Sequence, residues 1–269
     1  MYPEFLSIGD FTISSFGVMI ALCFLAGYFL IISEARRKRL DEKVINNMFL
    51  ATMLRGIFWA KVLYLFENVP LSELLSHPLD HLLSRGGLTF YGGFFGALIT
   101  VWTMARLNKI SMWTIGDMAA PALALAYSIG RIGCLLVGDD YGVPSDLPWA
   151  MAFPRGMPPT TETVHPTQIY EIVIMFVVFL YLWKIRKKDM PAGWLFSIYL
   201  ILAGFERLLV EFVRNTTPSP VPGLSVAQVM AIAIILVGAV KLYMTSASST
   251  SGDNQPVSRG KKLYKKKKA

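Results

Sequence analysis

The stretch FTISSFGVMIALCFLAGYFLIIS, Phe11–Ser33, runs for 23 residues without an Asp, Glu, Lys or Arg. A helix rises 1.5 Å per residue and a bilayer's hydrocarbon core is about 30 Å thick, so roughly 20 apolar residues cross it. The run is continuous, where a strand of a membrane barrel alternates apolar and polar residues. Working outward, the same signal predicts six more spans: Val44–Phe66, Leu88–Ala105, Met112–Val137, Gln168–Ile185, Gly193–Val213 and Leu224–Met244. Composition agrees. Of the 269 residues 54% are hydrophobic and 16% charged, against about 25% charged in soluble domains. This excludes a disordered chain and argues against a soluble enzyme. The expected fold class is all-α: a polytopic membrane protein of about seven transmembrane helices.

The net charge is +8, and its placement matters more than its size. Arg36, Arg37, Lys38, Arg39 and Lys43 follow the first span. Arg106 and Lys109 follow the third, and Lys184, Arg186, Lys187 and Lys188 the fifth. Lys241 and the basic residues from Arg259 onward follow the seventh. Together these are 19 of the 26 basic residues, all on one side. Cytoplasmic loops hold the excess Lys and Arg, so the expectation is a periplasmic N-terminus and a cytoplasmic C-terminus. Met1–Asp10 has no Lys or Arg, so no signal-peptide start is expected and the first span is read as retained. The domain reading is a membrane-embedded unit over 1–244 and a disordered basic cytoplasmic tail over 245–269. The tail is read as resting near anionic lipid, with no nucleic-acid partner. Cys23 and Cys134 both lie in apolar stretches, and neither a metal site nor a disulfide framework is expected.

An ionisable residue inside a span costs roughly 2.5–3.5 kcal/mol on insertion scales and is a functional hypothesis by default. In the expected orientation Arg131, Arg207, Glu211 and Arg214 all lie near the outer face. The first residues of spans three and five, Thr89–Gly93 and His165–Glu171, lie there too. Arg207, Glu211 and Arg214 are spaced i, i+4, i+7 and so share a helix face; Glu211 neutralises one arginine and leaves a net positive site. Arg131 has no acid one turn away on its helix and calls for a partner from elsewhere or an anionic ligand. A planar guanidinium suits a bidentate phosphate contact. The glycine run GGLTFYGGFFGA, Gly86–Ala97, lets helices approach closely or leaves room for a ligand. The Pro-rich segment over about 138–165 is too long for an ordinary connection and is read as a small periplasmic head or lid above the site.

Taken together, four stretches resemble the phosphatidylglycerol–prolipoprotein diacylglyceryl transferases, a bacterial inner-membrane family with seven spans. They are GGLTFYGG at Gly86–Gly93, GRIGCLLVGDDYG at Gly130–Gly142, HPTQIYE at His165–Glu171 and ERLLVEFVR at Glu206–Arg214, with LSVAQ at Leu224–Gln228 a weaker fifth. The resemblance covers roughly residues 5–244. Departures are Cys134 and Val137 where the family commonly has asparagines, Asp139 for a glutamate, Tyr91 for a histidine, and Phe16 before Gly17 for a tyrosine. The resemblance implies transfer of a diacylglyceryl group from phosphatidylglycerol to a lipobox cysteine of a prolipoprotein signal peptide, with release of glycerol 1-phosphate and no cofactor or metal. It implies Arg131 and Arg207 as catalytic residues, and the residues themselves add His165 and Tyr91. Arg131, Arg207, Arg214, Glu211, Asp139, Gly142, Gln168, Tyr170 and Gly92 are implied as substrate-binding. His165 is the histidine placed to act as a base, and the base is left open. Two other classes remain compatible with the residues: a transporter or binder of an anionic lipid or small molecule, and a divergent paralogue with altered or lost activity.

Overall fold

The computed structural model describes residues 2–8, 11–76, 78–84, 87–214, 219 and 223–250. The chain opens with an antiparallel hairpin of β1 (Glu4–Ile8) and β2 (Phe11–Ser14). Residues 11–14, expected to start the first span, are therefore strand. Phe11 and Ile13 alternate with Thr12 and Ser14, a period-two pattern that an extended chain satisfies, and Ser14 then caps the helix by accepting from the Gly17 amide.

Nine helices follow among the described residues: α1 (Ser15–Arg37), α2 (Glu42–Asn68), α3 (Leu71–Ser76), α4 (Pro78–Leu83), α5 (Phe90–Leu107), α6 (Met112–Val137), α7 (Thr167–Ile185), α8 (Trp194–Glu211) and α9 (Val226–Thr250). Five are long and apolar enough to cross a membrane: α1, α2, α6, α7 and α9 up to Ser246. The chain is thus a mostly helical membrane protein, with five such helices among the described residues against the seven spans expected. The short α3 and α4 were not expected. The last helix continues to Thr250, past the expected start of the tail, and residues 251–269 lie outside the described residues.

Helices pair as α1 with α6, α2 with α5, α6 with α7, and α8 with α9. The glycine run explains one pair. A Cβ on Gly92 would overlap the Trp59 carbonyl and lie 2.8 Å from the Leu63 Cβ, so α5 rests directly on the backbone of α2.

The bundle has two polar poles. At one, the fully buried Glu34 pairs with Arg37 at 2.7 Å and Arg186 at 2.8 Å. Nearby, Asp117 accepts from the Gly193 and Phe196 amides at 2.8 and 2.9 Å. Asp117, inside the fourth span, thus caps the start of α8, satisfying amides that a helix start leaves without partners. The opposite pole is formed by the C-terminal ends of α6 and α8 and the N-terminal end of α7, closed by a second hairpin of β3 (Met151–Phe153) and β4 (Thr160–Val164).

Candidate functional site

The site is built by three helix ends. α6 terminates at Gly138, whose left-handed backbone (φ 77) accommodates the turn and whose amide reaches the Cys134 carbonyl at 2.7 Å. The chain then folds back over the end of α6 through Asp139 and Asp140. The first turn of α7 grips this loop. Thr167 Oγ1 donates to the Asp140 carbonyl at 2.6 Å, and Gln168 Nε2 donates to the Asp139 carbonyl. One turn further along α7 is Glu171, fully buried.

Glu171 is the hub. Arg131 Nε stands 2.6 Å from its Oε2, while Arg214 Nη1 and Arg207 Nη1 stand 3.5 and 3.6 Å from its Oε1. The Tyr127 hydroxyl donates to the same Oε1 at 3.2 Å and accepts from Arg131 Nη2 at 3.3 Å. Asp140 bridges two of the three arginines, with Oδ2 2.7 Å from Arg131 Nη1 and Oδ1 2.8 Å from Arg214 Nη2. Glu211 Oε2 holds Arg207 Nη2 at 2.9 Å, and its Oε1 accepts from Ser225 Oγ at 2.7 Å. Ser225 and Gln228 exchange backbone and side-chain bonds at 2.9 and 3.1 Å, a capping box that opens α9.

Two expectations change. First, α8 ends at Glu211, so Arg214 does not share a helix face with Arg207. It enters the site through an antiparallel bridge to Gly142, with the Val143 amide on the Val213 carbonyl at 2.9 Å. That approach requires a glycine, since a Cβ on Gly142 would overlap the Val213 carbonyl. Second, the site is not net positive. Glu171, Glu211 and Asp140 pair with the three arginines, and the buried Glu206 adds a fourth acid on α8. Arg131 does find its partners from elsewhere, on α7 and in the loop.

Of the residues expected at the site, Arg131, Arg207, Arg214, Glu211, Asp139, Gly142 and Gln168 converge at this pole. His165 and Tyr170 stand beside it, with His165 Nδ1 3.2 Å from the Tyr170 hydroxyl, which accepts from Trp149 Nε1 at 2.8 Å. The contacts of Tyr91 and Gly92 lie elsewhere: the half-exposed Tyr91 ring packs edge-on to Phe90, and Gly92 is a packing contact of α5 on α2. Sequence reasoning passed over Glu171, Tyr127, Asp140 and Glu206 as site residues. Glu171 was detectable as an acid at the mouth of an apolar span and Tyr127 as the residue one turn before Arg131. No local signal marks Asp140.

Burial pushes the Asp139 carboxyl above its ordinary range, opposed by a hydrogen bond from the Cys134 thiol. Burial also pushes Asp140 up, but the Arg131 hydrogen bond and the attraction of both arginines outweigh it and hold the group low. Cys134 Sγ and carboxylate oxygens of Asp139 and Asp140 lie within 4.8 Å of one another, among the described residues the grouping able to present metal ligands. Arg131 and Arg214 already occupy Asp140, and their charge opposes a cation there.

Fold and site define a class: a polytopic membrane protein with an arginine–carboxylate cluster buried at one pole of its bundle. A family model described as prolipoprotein diacylglyceryl transferase matches residues 3–244, and the chain belongs to that family. It is 32% identical to the phosphatidylglycerol–prolipoprotein diacylglyceryl transferase of Clostridium tetani, over 88% of this chain and 95% of the relative. The proteins so named from Bordetella avium and Finegoldia magna are 32% and 33% identical. They cover 93% and 87% of this chain, and 98% and 92% of their own lengths.

Proposed function

We propose that this chain transfers the diacylglyceryl group of phosphatidylglycerol to the lipobox cysteine thiol at the end of a prolipoprotein signal peptide, in the outer leaflet of a bacterial inner membrane. The observation that carries this reading is the convergence of Arg131, Arg207 and Arg214 on one buried carboxylate, in a chain of this family. The sulfur attacks the glyceryl carbon, the S–C bond forms, and the C–O bond to phosphate breaks. Glycerol 1-phosphate leaves with the electron pair, and the thiol proton passes to an acceptor in the site.

The leaving group is an anion, so Arg131 and Arg207 act where negative charge develops. In a water-poor pocket such donors are worth more than in bulk solvent. Glu171 aims the three guanidiniums. His165 is the acceptor this reading favours, its Nδ1 3.2 Å from the Tyr170 hydroxyl beside the arginine cluster. Tyr91, half-exposed on α5, is read as orienting substrate by hydrogen bonding. The excess of Lys and Arg in alternate loops supports an orientation with the N-terminus outside and the C-terminus inside.

The test is purified protein with phosphatidylglycerol and a lipobox peptide, read by mass. The expected result is a peptide heavier by one diacylglyceryl group, with glycerol 1-phosphate released in equal amount. A peptide of unchanged mass with intact lipid sinks the assignment and leaves a binder or transporter of anionic lipid.

A further inference from the structure

Asp140 differs from the other acids of the cluster. Glu171, Glu206 and Glu211 are buried and lie on helices, whereas the Asp140 side chain is 44% exposed and sits in the loop after α6. Its two oxygens engage two guanidiniums, Arg131 at 2.7 Å and Arg214 at 2.8 Å. A phosphate offers two oxygens to two guanidiniums in the same manner. The loop holds Asp140 in place by its main chain, through Thr167 on its carbonyl and the neighbouring Gly142–Arg214 bridge. Its backbone is left-handed, with φ 60, a conformation that Asp tolerates better than most residues. Glu171 cannot leave the arginines without burying an unpaired charge. Asp140 can, because water reaches it.

We propose that Asp140 is an internal stand-in for the substrate's phosphate, pairing with Arg131 and Arg214 until a glycerol-linked phosphate displaces it, and so setting how tightly the site holds an anionic headgroup. This rests on the reading of the site as one for phosphatidylglycerol. Exchange breaks two ion pairs and makes two, so Arg131 and Arg214 keep an anion on the side that Asp140 occupies. An occupied state of this kind lowers apparent affinity by the fraction of molecules in which the arginines are free.

The experiment compares the full chain with Asp140→Asn, which removes the charge at constant shape, and Asp140→Glu, which keeps it. One arm measures KM and kcat for phosphatidylglycerol diluted in phosphatidylcholine nanodiscs. The other measures the Kd of free glycerol 1-phosphate from its stabilisation of the protein against heat. For Asp140→Asn the KM, the Kd or both should fall about tenfold, with kcat changed less, and Asp140→Glu should restore the parent values. A fall confined to the lipid arm assigns the exchange to substrate entry; one confined to the free phosphate assigns it to product release. Parent-like or weaker binding of both ligands by Asp140→Asn overturns the proposal. If Asp140→Asn does not accumulate, Asp140→Ser carries the same expectation; failure of both to accumulate makes Asp140 a structural partner and overturns it too. Absence of transfer in the parent, with glycerol 1-phosphate binding tightened in Asp140→Asn, would sink the transferase reading and leave this one standing.

Discussion

Arg131 has three kinds of partner: the buried Glu171, the half-exposed Asp140 and the Tyr127 hydroxyl. Lysine at this position keeps the charge and loses the planar fork. Both Arg131→Lys and Arg131→Ala are therefore expected to insert and to lower thioether formation by about 10²–10³, the usual loss for one preorganised donor at a developing anion. Release of glycerol phosphate from phosphatidylglycerol should fall in step. Transfer by Arg131→Ala near the parent rate would reduce Arg131 to a packing residue. Glu171 is the sharper structural test. It faces three arginines with no exposure to water, and removing one side of a buried pair costs about 3–5 kcal/mol. Glu171→Gln should lower the amount of protein in the membrane, measured by immunoblot, and should do so more than Asp140→Asn, whose partners keep Glu171.

At the scale of elements, the site depends on how α8 ends. Glu211 ties Arg207 to its own helix and, through Ser225, ties the start of α9 to the end of α8. Glu211→Ala leaves a guanidinium without its partner and is expected to lower abundance, again by a loss of about 3–5 kcal/mol. Removing Arg207 as well should restore part of the abundance and none of the activity; normal levels of Glu211→Ala would show that the pair is not structural. The loop over the site depends on a single close approach. Gly142→Ala sets a methyl group against the Val213 carbonyl, which no side-chain movement relieves. Overpacking of this kind costs about 1–3 kcal/mol. The variant should be cut faster within 138–165 under limited proteolysis, and unchanged cleavage would show that the Gly142–Arg214 bridge does not hold this segment.

For the whole molecule, the separation of the two polar poles is the organising feature. Glu34, Arg37, Asp117 and Arg186 stabilise one end, and the arginine–Glu171 cluster occupies the other. If the loop charges set the orientation, reporter fusions after residue 250 should read cytoplasmic and fusions after Asp146 periplasmic. A periplasmic signal at the C-terminal fusion would invert the molecule and move the site away from the outer leaflet.

The membrane class, the positions of the long helices and the family were all legible in the chain itself. Hydrophobic runs report on the solvent, and a lipid interior admits few structures other than a helix; Met112–Val137 was bounded to the residue for that reason. Arg131 and Arg207 were legible because a charge inside a span is expensive wherever it occurs. What the chain could not show was charge compensation. Asp140 is nine residues from Arg131 and Glu171 forty, and neither lies on the helix that carries Arg131. Only the left-handed turn at Gly138, the grip of Thr167 and Gln168 on the loop, and the Gly142–Arg214 bridge bring them together. The tertiary structure thus decided that the site is a balanced network, because pairing across helix ends is set by packing geometry and not by local sequence.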